Sequence, residues 1–395
     1  MKKLTPPDVE KLGPDTRLVV AGRDPSRFDG FVNPPVYHGS TILSPTVEDL
    51  LGRTGRYSYA RRGTPTSEAL EETLGALEGG AGVVLCPSGL SAVSTALLSV
   101  LGAGDHVLVT DSAYSPTRHV CSMELKRFGI EVTYFDPLIG AGIEDLVRPN
   151  TRAIYCEAPG SLTFEMQDIP AIAEVAHRHG ALVLMDNTWA SPLFCQAHKL
   201  GVDLSIQAGT KYIVGHSDVM LGTISASARA WPHLKRFYYE TGLCVGPDDI
   251  YLAMRGVRTM GVRLRHHQQS ALTVASWLEN HPQVQQVLYP ALPSHPGHAI
   301  WKRDFSGASG LFSIVLQDGP MSAVAAFLDD LRFFGLGYSW GGFESLAVPF
   351  DCTSLRTATR WAPGGPCVRF HIGLETVADL IADLDTGLAR YAAAR

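Results

Sequence analysis

Residues 202–212 read VDLSIQAGTKY, and residues 213–218 continue as IVGHSD. The first string is an apolar, β-prone run that reaches Lys211 and breaks at Gly215, which predicts a buried strand ending in a loop. A lysine in such a loop is usually exposed to solvent, in about nine cases of ten. Lys211 therefore needs a second observation before it can be given a chemical role.

A strand predicted for residues 181–185 (ALVLM) supplies that observation, because it ends directly at Asp186. The carboxyl ends of strands in an open α/β sheet gather around the ligand crevice, so Asp186 and Lys211 are expected to face one ligand. Pyridoxal phosphate requires such a pair: a lysine amine that bonds to its aldehyde and a carboxylate that keeps its ring nitrogen protonated. Asp186 alone could equally cap the next helix. The two residues together favour the cofactor site.

Longer strings of sequence resemble one family of enzymes. These strings are residues 59–64 (YARRGT), 135–140 (FDPLIG), 186–189 (DNTW), 205–218, 301–305 (WKRDF) and 338–342 (YSWGG). They resemble the Cys/Met-metabolism family of pyridoxal-phosphate enzymes, and within it the bacterial cystathionine β-lyase branch. The resemblance implies fold type I, the aspartate-aminotransferase-like architecture, with a mainly parallel, doubly wound sheet and a smaller C-terminal α/β domain.

The composition excludes several other classes of protein. The formal net charge of -6 provides no basic footprint for nucleic acid. No apolar run is long enough to span a membrane, and the first residues lack the apolar core of a signal peptide, so we predict a cytoplasmic protein without membrane contact. Seven cysteines without CxxC spacing argue against a disulfide framework and against a zinc site, so no metal is expected.

A chain of 395 residues is long enough for two packed domains. Residues 1–60 are rich in proline, including Pro6-Pro7, and this composition suits an extended arm. The pattern changes near Arg255 to a long helix that runs to Asn280. We therefore predict a large cofactor-binding domain at 61–256 and a C-terminal domain at 257–395.

The arm has two interpretations. By composition alone, residues 56–62 (RYSYARR) would form a solvated surface loop. The resemblance implies instead that the arm contacts a neighbouring subunit, and that Tyr59 and Arg61 reach the cofactor phosphate bound there. It also implies a homotetramer built from dimers that share their active sites.

A predicted strand at 83–86, a turn at Gly89 and a helix at 90–101 follow one another. Free backbone N–H groups and the helix dipole make such a helix start an anion site, although the motif alone is weak. The resemblance implies that the amides of Gly89 and Leu90, with the side chain of Thr210, bind the cofactor phosphate. Relatives that act at the γ position often have Ser where this chain has Ala208, so one phosphate hydrogen bond is expected to be missing or replaced.

Tyr114 follows a predicted strand at residues 106–110 (HVLVT). Ordinary packing is the usual role of a single aromatic residue. The resemblance implies that this tyrosine stacks on the cofactor ring, and it makes the hydroxyl a candidate catalytic acid or base. Ser161 matches the β-lyase pattern, whereas relatives with γ activity commonly carry Asn there.

Arg369 lies inside a predicted strand at 368–372 (VRFHI), where an unpaired charge is costly. A structural ion pair is one explanation. The resemblance implies that Arg369 binds the substrate α-carboxylate in a two-pronged hydrogen bond. It also places Ser339 beside that carboxylate and Lys211, and places Tyr338 and Trp340 on the substrate side, where their bulk favours β-elimination.

These residues predict a pyridoxal-phosphate-dependent carbon–sulfur β-lyase, with Lys211 as the base. Its expected substrate is a small amino-acid thioether, L-cystathionine, cleaved to homocysteine, pyruvate and ammonia in methionine biosynthesis; other cysteine S-conjugates are further candidates. A cystathionine γ-lyase or γ-synthase would share Lys211 and Asp186. From another class, a non-catalytic nucleotide-binding α/β module would use Gly89 only as a phosphate seat.

Overall fold

The computed structural model describes residues 3–5, 8–9 and 11–395. Pro6 and Pro7, which support the prediction of an arm, lie outside the described residues. From Pro14 onward the α-helices are α1 (Pro14–Val20), α2 (Val47–Gly52), α3 (Pro65–Glu78), α4 (Gly89–Val100), α5 (Ser115–His119), α6 (Ile169–Arg178), α7 (Ser191–Phe194), α8 (Trp231–Thr241), α9 (Pro247–Glu279), α10 (His298–Asp304), α11 (Met321–Leu328) and α12 (Val377–Ala394). The strands are β1 (Gly82–Cys86), β2 (His106–Thr110), β3 (Glu131–Phe135), β4 (Thr151–Glu157), β5 (Leu182–Asp186), β6 (Leu204–Gln207), β7 (Gly222–Ala226), β8 (Val284–Leu288), β9 (Leu311–Leu316), β10 (Phe334–Leu336), β11 (Ser345–Phe350) and β12 (Cys367–His371).

The larger sheet has the strand order β1-β7-β6-β5-β4-β2-β3. Only β7 runs against its neighbours β1 and β6; the pairs from β6 to β3 are parallel. Parallel neighbours need crossover connections that cover the faces of the sheet with helices. The sheet is therefore mainly parallel and doubly wound, as the alternation of predicted strands and helices indicates.

Side-chain alternation along the strands divides the interior into layers. In β5, Leu184 belongs to the core under α4 and α8, while Met185 belongs to the core that includes residues of α6. Both residues have no exposed surface. Because successive side chains in a strand point to opposite faces, a strand buried on both faces is apolar throughout.

The smaller sheet has the order β10-β11-β12-β9-β8, with β12 near its centre. Its inner residues share one core with the larger sheet, which includes Phe312 and Phe370. The helix α9 runs through residues 256 and 257 without a break and begins earlier than the pattern near Arg255 indicates. The boundary that the sequence predicts therefore lies inside a continuous helix, and the division into domains stays a prediction.

Part of the segment predicted as an arm packs against its own chain. Leu18 of α1 is buried, and Arg258 of α9 donates hydrogen bonds to the carbonyls of Leu18 and Ala21 at 2.6 and 2.9 Å. Further along, Phe31 and Leu43 are 70% and 89% exposed. The extended part of the arm thus presents apolar side chains that its own chain leaves uncovered.

Candidate active site

A cavity of about 530 Å³ opens where strands of the larger sheet end and the loop at 338–342 approaches them. Most of the residues predicted for the site line this one cavity: Gly89, Leu90, Tyr114, Asp186, Thr210, Lys211, Tyr338, Ser339, Trp340 and Arg369. This is the place where an open α/β sheet binds its ligand. Tyr59 and Arg61, the other two predicted residues, are not among those that line it.

Lys211 projects into this cavity from the turn after β6. Its Nζ donates a hydrogen bond to Ser339 Oγ at 2.8 Å and lies 5.3 Å from the centre of the Trp340 ring. Burial, and then the nearby charge of Arg369, lower the pKa of Lys211 to about 8, while Asp186 acts in the opposite direction. A lysine with its pKa lowered in this way can serve as a nucleophile or a general base near neutral pH.

A close approach of two backbones fixes the contact between Lys211 and Ser339. Gly341 has φ +86°, and a Cβ there would lie 2.9 Å from the Cα of Lys211. Glycine adopts this conformation and leaves room for the neighbouring chain, which other residues cannot do. The loop can therefore bring Ser339 up to the lysine.

Asp186 ends β5 and is held by Thr188, whose backbone N–H and hydroxyl both donate to Oδ1, at 3.0 and 2.5 Å. The next helix, α7, has Ala190 at its N-cap, so Asp186 does not cap it. Burial raises the pKa of Asp186, against the effects of Thr188 and Lys211. A positive charge beside this carboxyl would restore its ionised form.

Glu157 is a site residue that the sequence reasoning missed. It ends β4 opposite Asp186 in the adjacent strand, lines the cavity, and its Oε2 accepts the Tyr114 N–H at 2.7 Å. Burial and the neighbouring Asp186 raise its pKa well above the ordinary value. Its position at the end of a predicted strand, the same signal that identified Asp186, could have revealed it.

Tyr114 lies at the mouth of the cavity and is 48% exposed, so it is not a core packing residue. Its N–H is held by Glu157, which fixes the backbone that carries the ring. Burial, then the charge of Glu157, raise the pKa of the Tyr114 hydroxyl. The phenol is therefore protonated at neutral pH, and its ring face is available to a flat ligand.

The start of α4 forms a cradle beside the cavity. Ser88 caps the helix by accepting the Ser91 N–H at 3.1 Å, while Gly89 and Leu90 belong to the first turn, whose N–H groups have no partner within the helix. A Cβ at Gly89 would lie 2.6 Å from the Cβ of Ala208. Free amides at a helix N-terminus suit a phosphate.

Thr210 lines the cavity, but its hydroxyl is engaged elsewhere in the structure. Oγ1 donates to the Leu221 carbonyl at 3.1 Å and accepts the Leu221 N–H at 2.9 Å. To donate to a phosphate, this hydroxyl would have to turn its proton away from Leu221. Its role as a phosphate donor stays a prediction.

We expect Gly89→Ala to weaken binding of pyridoxal phosphate to the cofactor-free protein, because the new Cβ collides with Ala208. An overpacking cost of about 1–3 kcal/mol corresponds to a loss of about 5- to 150-fold in affinity. An absorbance titration measures it. Gly102→Ala is the matched control, since the nearest atom to a Cβ there is 3.6 Å away. Equal affinities of the two variants would contradict the cradle.

Arg369 is 8% exposed within β12. Its Nη2 donates to the carbonyls of Tyr338 and Ser339 at 2.7 and 3.3 Å, while its buried Nε has no hydrogen-bond partner among the described residues. No ion pair to Arg369 is found in the described part of the chain, so the structural alternative has no partner to support it. Arg369 lines the cavity, and a buried cation with an unused donor is an incomplete site for an anion.

Tyr338 and Trp340 form the aromatic wall of the cavity. Tyr338 is 87% exposed, while Trp340 packs at 5.5 Å between ring centres against the buried Tyr212. Trp340 is therefore fixed, and Tyr338 stands at the rim, where its ring has few contacts to hold it.

Tyr59 and Arg61 lie away from this cavity. The Arg61 guanidinium carbon lies 5.7 Å from the centre of the Tyr59 ring, and Nη1 donates to the Tyr239 carbonyl at 3.4 Å. Arg61 and Tyr239 line a different cavity of about 520 Å³. The role of this pair at the site of a neighbouring subunit stays a prediction.

Neither a metal-binding cluster nor a disulfide is found in the described part of the chain. No cluster of three or more His, Cys, Asp or Glu side chains there could hold a metal ion. The cysteines at 86, 121, 156, 195, 244, 352 and 367 are all free. No helix in residues 3–5, 8–9 and 11–395 has the length and apolar character needed to cross a bilayer.

The lowered pKa of Lys211 predicts how cofactor binding depends on pH. The neutral amine is the reactive form, and half of the groups are deprotonated at about pH 8. The rate at which the cofactor-free protein bonds to pyridoxal phosphate should thus rise about tenfold per unit below pH 8 and level off above it. Stopped-flow absorbance measures the rate, with N-acetyl-lysine as the control for the cofactor's own ionisation; a rate still rising at pH 10 would contradict this pKa.

A model of the Cys/Met metabolism PLP-dependent enzymes matches residues 15–389. The chain belongs to this family. The relation extends over almost its whole length, including the cavity, both sheets and the loop at 338–342. Dependence on pyridoxal phosphate follows from it, so the predicted cofactor is confirmed, while the roles of Lys211 and Asp186 in holding it stay predictions.

Individual relatives agree with this placement. A Rhizobium johnstonii protein named "Putative cystathionine beta-lyase" is 55% identical over 98% of each chain, and a Salmonella typhimurium cystathionine beta-lyase is 46% identical over 95% of this chain and 98% of that protein. A solved cystathionine gamma synthase of Xanthomonas oryzae pv. oryzae, in complex with aminoacrylate and cysteine, has a TM-score of 0.90 at 34% identity and covers 97% of this chain and 100% of its own. The likeness confirms fold type I, which enzymes of different reactions share.

The residues in the cavity fit the cofactor. The amides at the start of α4 form a cradle in which a Cβ at Gly89 has no room. Lys211 and Asp186 supply an amine of lowered pKa and a buried carboxyl, and Tyr114 offers a ring face. Lys211, Asp186, Tyr114, Gly89 and Leu90 would therefore hold pyridoxal phosphate, which supplies an electron sink for reactions at an amino-acid α-carbon.

Proposed function

We propose that this enzyme is a carbon–sulfur β-lyase that cleaves L-cystathionine to homocysteine, pyruvate and ammonia. The observation that carries the proposal is that one cavity is lined by Lys211, by Arg369 with its unpartnered Nε, and by the bulky side chains of Tyr338 and Trp340. The names of the relatives from Rhizobium and Salmonella support the same reaction.

Arg369 supplies the first requirement, which is orientation of the substrate. Its Nη2 and free Nε form a fork that a carboxylate can accept, replacing the backbone carbonyls of Tyr338 and Ser339. Fixing the α-carboxylate restricts rotation of the α-carbon in front of Lys211. Such orientation contributes directly to the rate.

Lys211 carries the proton transfers. As a neutral amine it takes the proton from the substrate α-carbon, and as an ammonium it can return a proton to the sulfur that leaves the β-carbon. Ser339 Oγ, 2.8 Å from Nζ, holds the lysine in position between these tasks. Asp186 would favour the protonated ring nitrogen of bound pyridoxal phosphate by its opposite charge. Water then completes the conversion of the three-carbon fragment to pyruvate and ammonia.

The aromatic wall favours β- over γ-elimination. γ-Elimination requires a second proton removal, at the β-carbon, and therefore room for a base to reach that atom. Trp340 is packed against Tyr212 and lies over Lys211, so the space beside the lysine is filled by an apolar ring. A cystathionine γ-lyase or γ-synthase would need this wall to open.

The proposed reaction is tested by incubating the cofactor-loaded protein with L-cystathionine and identifying the products. Pyruvate with homocysteine supports β-elimination. 2-Oxobutyrate with cysteine would move the enzyme to γ-elimination and overturn the role of the aromatic wall. The Lys211→Ala protein under the same conditions measures the background.

We further propose that the active sites are shared within dimers, which pair into a homotetramer, and that the enzyme works in the cytoplasm. The exposed apolar residues Phe31 and Leu43 of the arm, and the position of Tyr59 and Arg61 outside the chain's own cavity, support an arm that covers a neighbour. Free cysteines suit a reducing compartment.

Subunit mixing tests the shared site. Lys211→Ala and Arg61→Ala proteins, each of low activity, are unfolded together and refolded. Mixed dimers would contain one site with both native residues, so activity should return to about a quarter of the native value if subunits pair at random. No recovery above the sum of the separate variants would contradict a shared site, and sedimentation measures the assembly.

A further inference from the structure

Asp111 follows β2 directly, stands three residues before Tyr114, and is 1% exposed. Its carboxylate is surrounded by donors from a distant part of the chain. Oδ2 accepts the backbone N–H groups of Ala358 and Thr359 at 3.1 and 2.9 Å, and the hydroxyl of Thr359 at 2.8 Å. Oδ1 accepts the N–H and the hydroxyl of Thr357, both at 3.0 Å. Successive backbone N–H groups form a concave seat for an anion, here filled by a carboxylate.

Arg118 completes this arrangement and ties it to Tyr114. Its Nη1 donates to the carboxylate and the carbonyl of Asp111 at 2.9 and 3.0 Å, and its Nη2 donates to Thr357 Oγ1 at 3.0 Å. Its guanidinium carbon lies 3.8 Å from the centre of the Tyr134 ring, and its own N–H donates to the Tyr114 carbonyl. The segment that presents Tyr114 is thus a loop closed by an Asp–Arg pair.

A second contact joins the same distant segment to another wall of the cavity. Arg356 Nη2 donates to Glu165 Oε1 at 3.0 Å and also to Thr163. Glu165 in turn accepts the Gly160 N–H through its carbonyl, and Gly160 lines the cavity. Residues 356–359 therefore contact two segments: the one with Asp111 and Arg118, which carries Tyr114, and the one at 160–165, which contains the cavity residue Gly160.

We propose that Asp111 is a positioning residue: with Arg118 and residues 357–359 it forms a clamp that sets the distance between Tyr114 and Arg369. Residues 356–359 lie between β11 and β12, and β12 carries Arg369. The clamp therefore connects β12, which carries Arg369, to the segment that carries Tyr114. Asp111 itself is not among the residues that line the cavity. This inference rests on the proposed roles of Tyr114 and Arg369.

The charge of Asp111 is present at neutral pH. Burial opposes its ionisation, but the hydrogen bonds from Thr357 and Thr359 outweigh burial and lower the pKa of Asp111. Arg118 adds an ion pair to the carboxylate, with Nη1 2.9 Å from Oδ1. Asp111→Asn removes the charge, and its amide group would point donor hydrogens at N–H groups that can only donate. The substitution should therefore weaken the attachment of residues 357–359 to position 111.

The test compares Asp111→Asn with a matched control, Asp383→Asn. Asp383 is also buried and also accepts backbone N–H groups, those of Arg332 and Phe333, but away from the cavity. A displacement of about 1 Å costs up to about 100-fold in catalysis, so we expect kcat/KM for L-cystathionine to fall about 10- to 100-fold in Asp111→Asn, chiefly through KM. Asp383→Asn should lower the melting temperature with KM unchanged, when both are assayed well below their Tm.

Two further measurements keep the test decisive. The double variant Thr357→Val/Thr359→Val removes two hydroxyl donors and leaves Asp111 and its backbone donors in place. We expect it to raise KM less than Asp111→Asn does. It replaces Asp111→Asn in the test if that variant does not fold. Hydrogen exchange of the amides at 357–359 should be faster in either variant.

Equal KM values for the Asp111 and Asp383 variants would overturn the clamp, as would unchanged exchange at 357–359. If the native enzyme released no keto acid from L-cystathionine, the proposed reaction would fail by itself. The exchange measurement and the affinity for substrate-like amino acids would then still decide whether Asp111 sets the position of Arg369.

Discussion

Replacing Lys211 with alanine should reduce pyruvate formation by about 10³-fold or more and abolish the long-wavelength absorbance of the lysine-bound cofactor. Lys211 provides the amine that lines the cavity, and its pKa of about 8 makes that amine reactive near neutral pH. Loss of the amine removes both the covalent attachment of pyridoxal phosphate and the base for the α-proton. Initial rates and the absorbance spectrum of the reconstituted protein measure the two effects.

Lys199→Ala is the control for this substitution, because Lys199 is an exposed lysine outside the cavity. It should retain both the rate and the spectrum. A Lys211→Ala protein that kept native turnover would remove the basis for the catalytic assignment, whatever its spectrum.

Replacing Arg369 with alanine should lower kcat/KM for L-cystathionine by about 30- to 5,000-fold, which corresponds to about 2–5 kcal/mol for loss of a buried, hydrogen-bonded charge partner. The physical reason is that the Arg369 guanidinium has hydrogen-bond donors to spare. Its buried Nε has no acceptor among the described residues, and Nη2 donates only to backbone carbonyls. A substrate carboxylate would satisfy the fork. Steady-state kinetics should show the loss mainly in KM.

Arg258→Ala is the matched control, since the Arg258 guanidinium also donates to two backbone carbonyls, those of Leu18 and Ala21, but outside the cavity. It should destabilise the protein without a comparable change in KM. Arg369→Lys is expected to fall between the native enzyme and Arg369→Ala, because an ammonium keeps the charge and loses the planar fork. An unchanged KM in Arg369→Ala would exclude the carboxylate-binding role.

Local patterns explain why so much of the site could be predicted. A strand ending in Asp186, a strand leading to the turn with Lys211, and a helix beginning at Gly89 each follow from neighbouring residues and standard chemistry. The carboxyl ends of parallel strands meet at one edge, so the lysine and the acid converge without knowledge of distant contacts. The roles of Arg369 and Tyr338 came from resemblance to a family and not from spacing.

Where the sequence pattern was less informative, the structure shows the reason. The boundary predicted near residue 256 falls within α9, because one continuous helix contributes residues to two hydrophobic cores and does not end where the sequence pattern changes. Glu157 was overlooked although it follows a predicted strand as Asp186 does, and its burial beside Asp186 was visible only in the structure.

The sequence by itself determined the alternation of strands and helices, the parallel sheet with its ligand edge, and the pair Asp186 and Lys211 that indicates pyridoxal phosphate. Only the tertiary structure decided that Arg369 lacks an anionic partner among the described residues, and that Asp111 binds residues 357–359, 246 to 248 positions away. Local propensity depends on neighbouring residues, whereas desolvation and unmet hydrogen bonds depend on everything that surrounds a group once the two sheets have packed. The sequence thus indicates which residues carry the chemistry, whereas their positions and their unmet hydrogen bonds depend on contacts between distant segments.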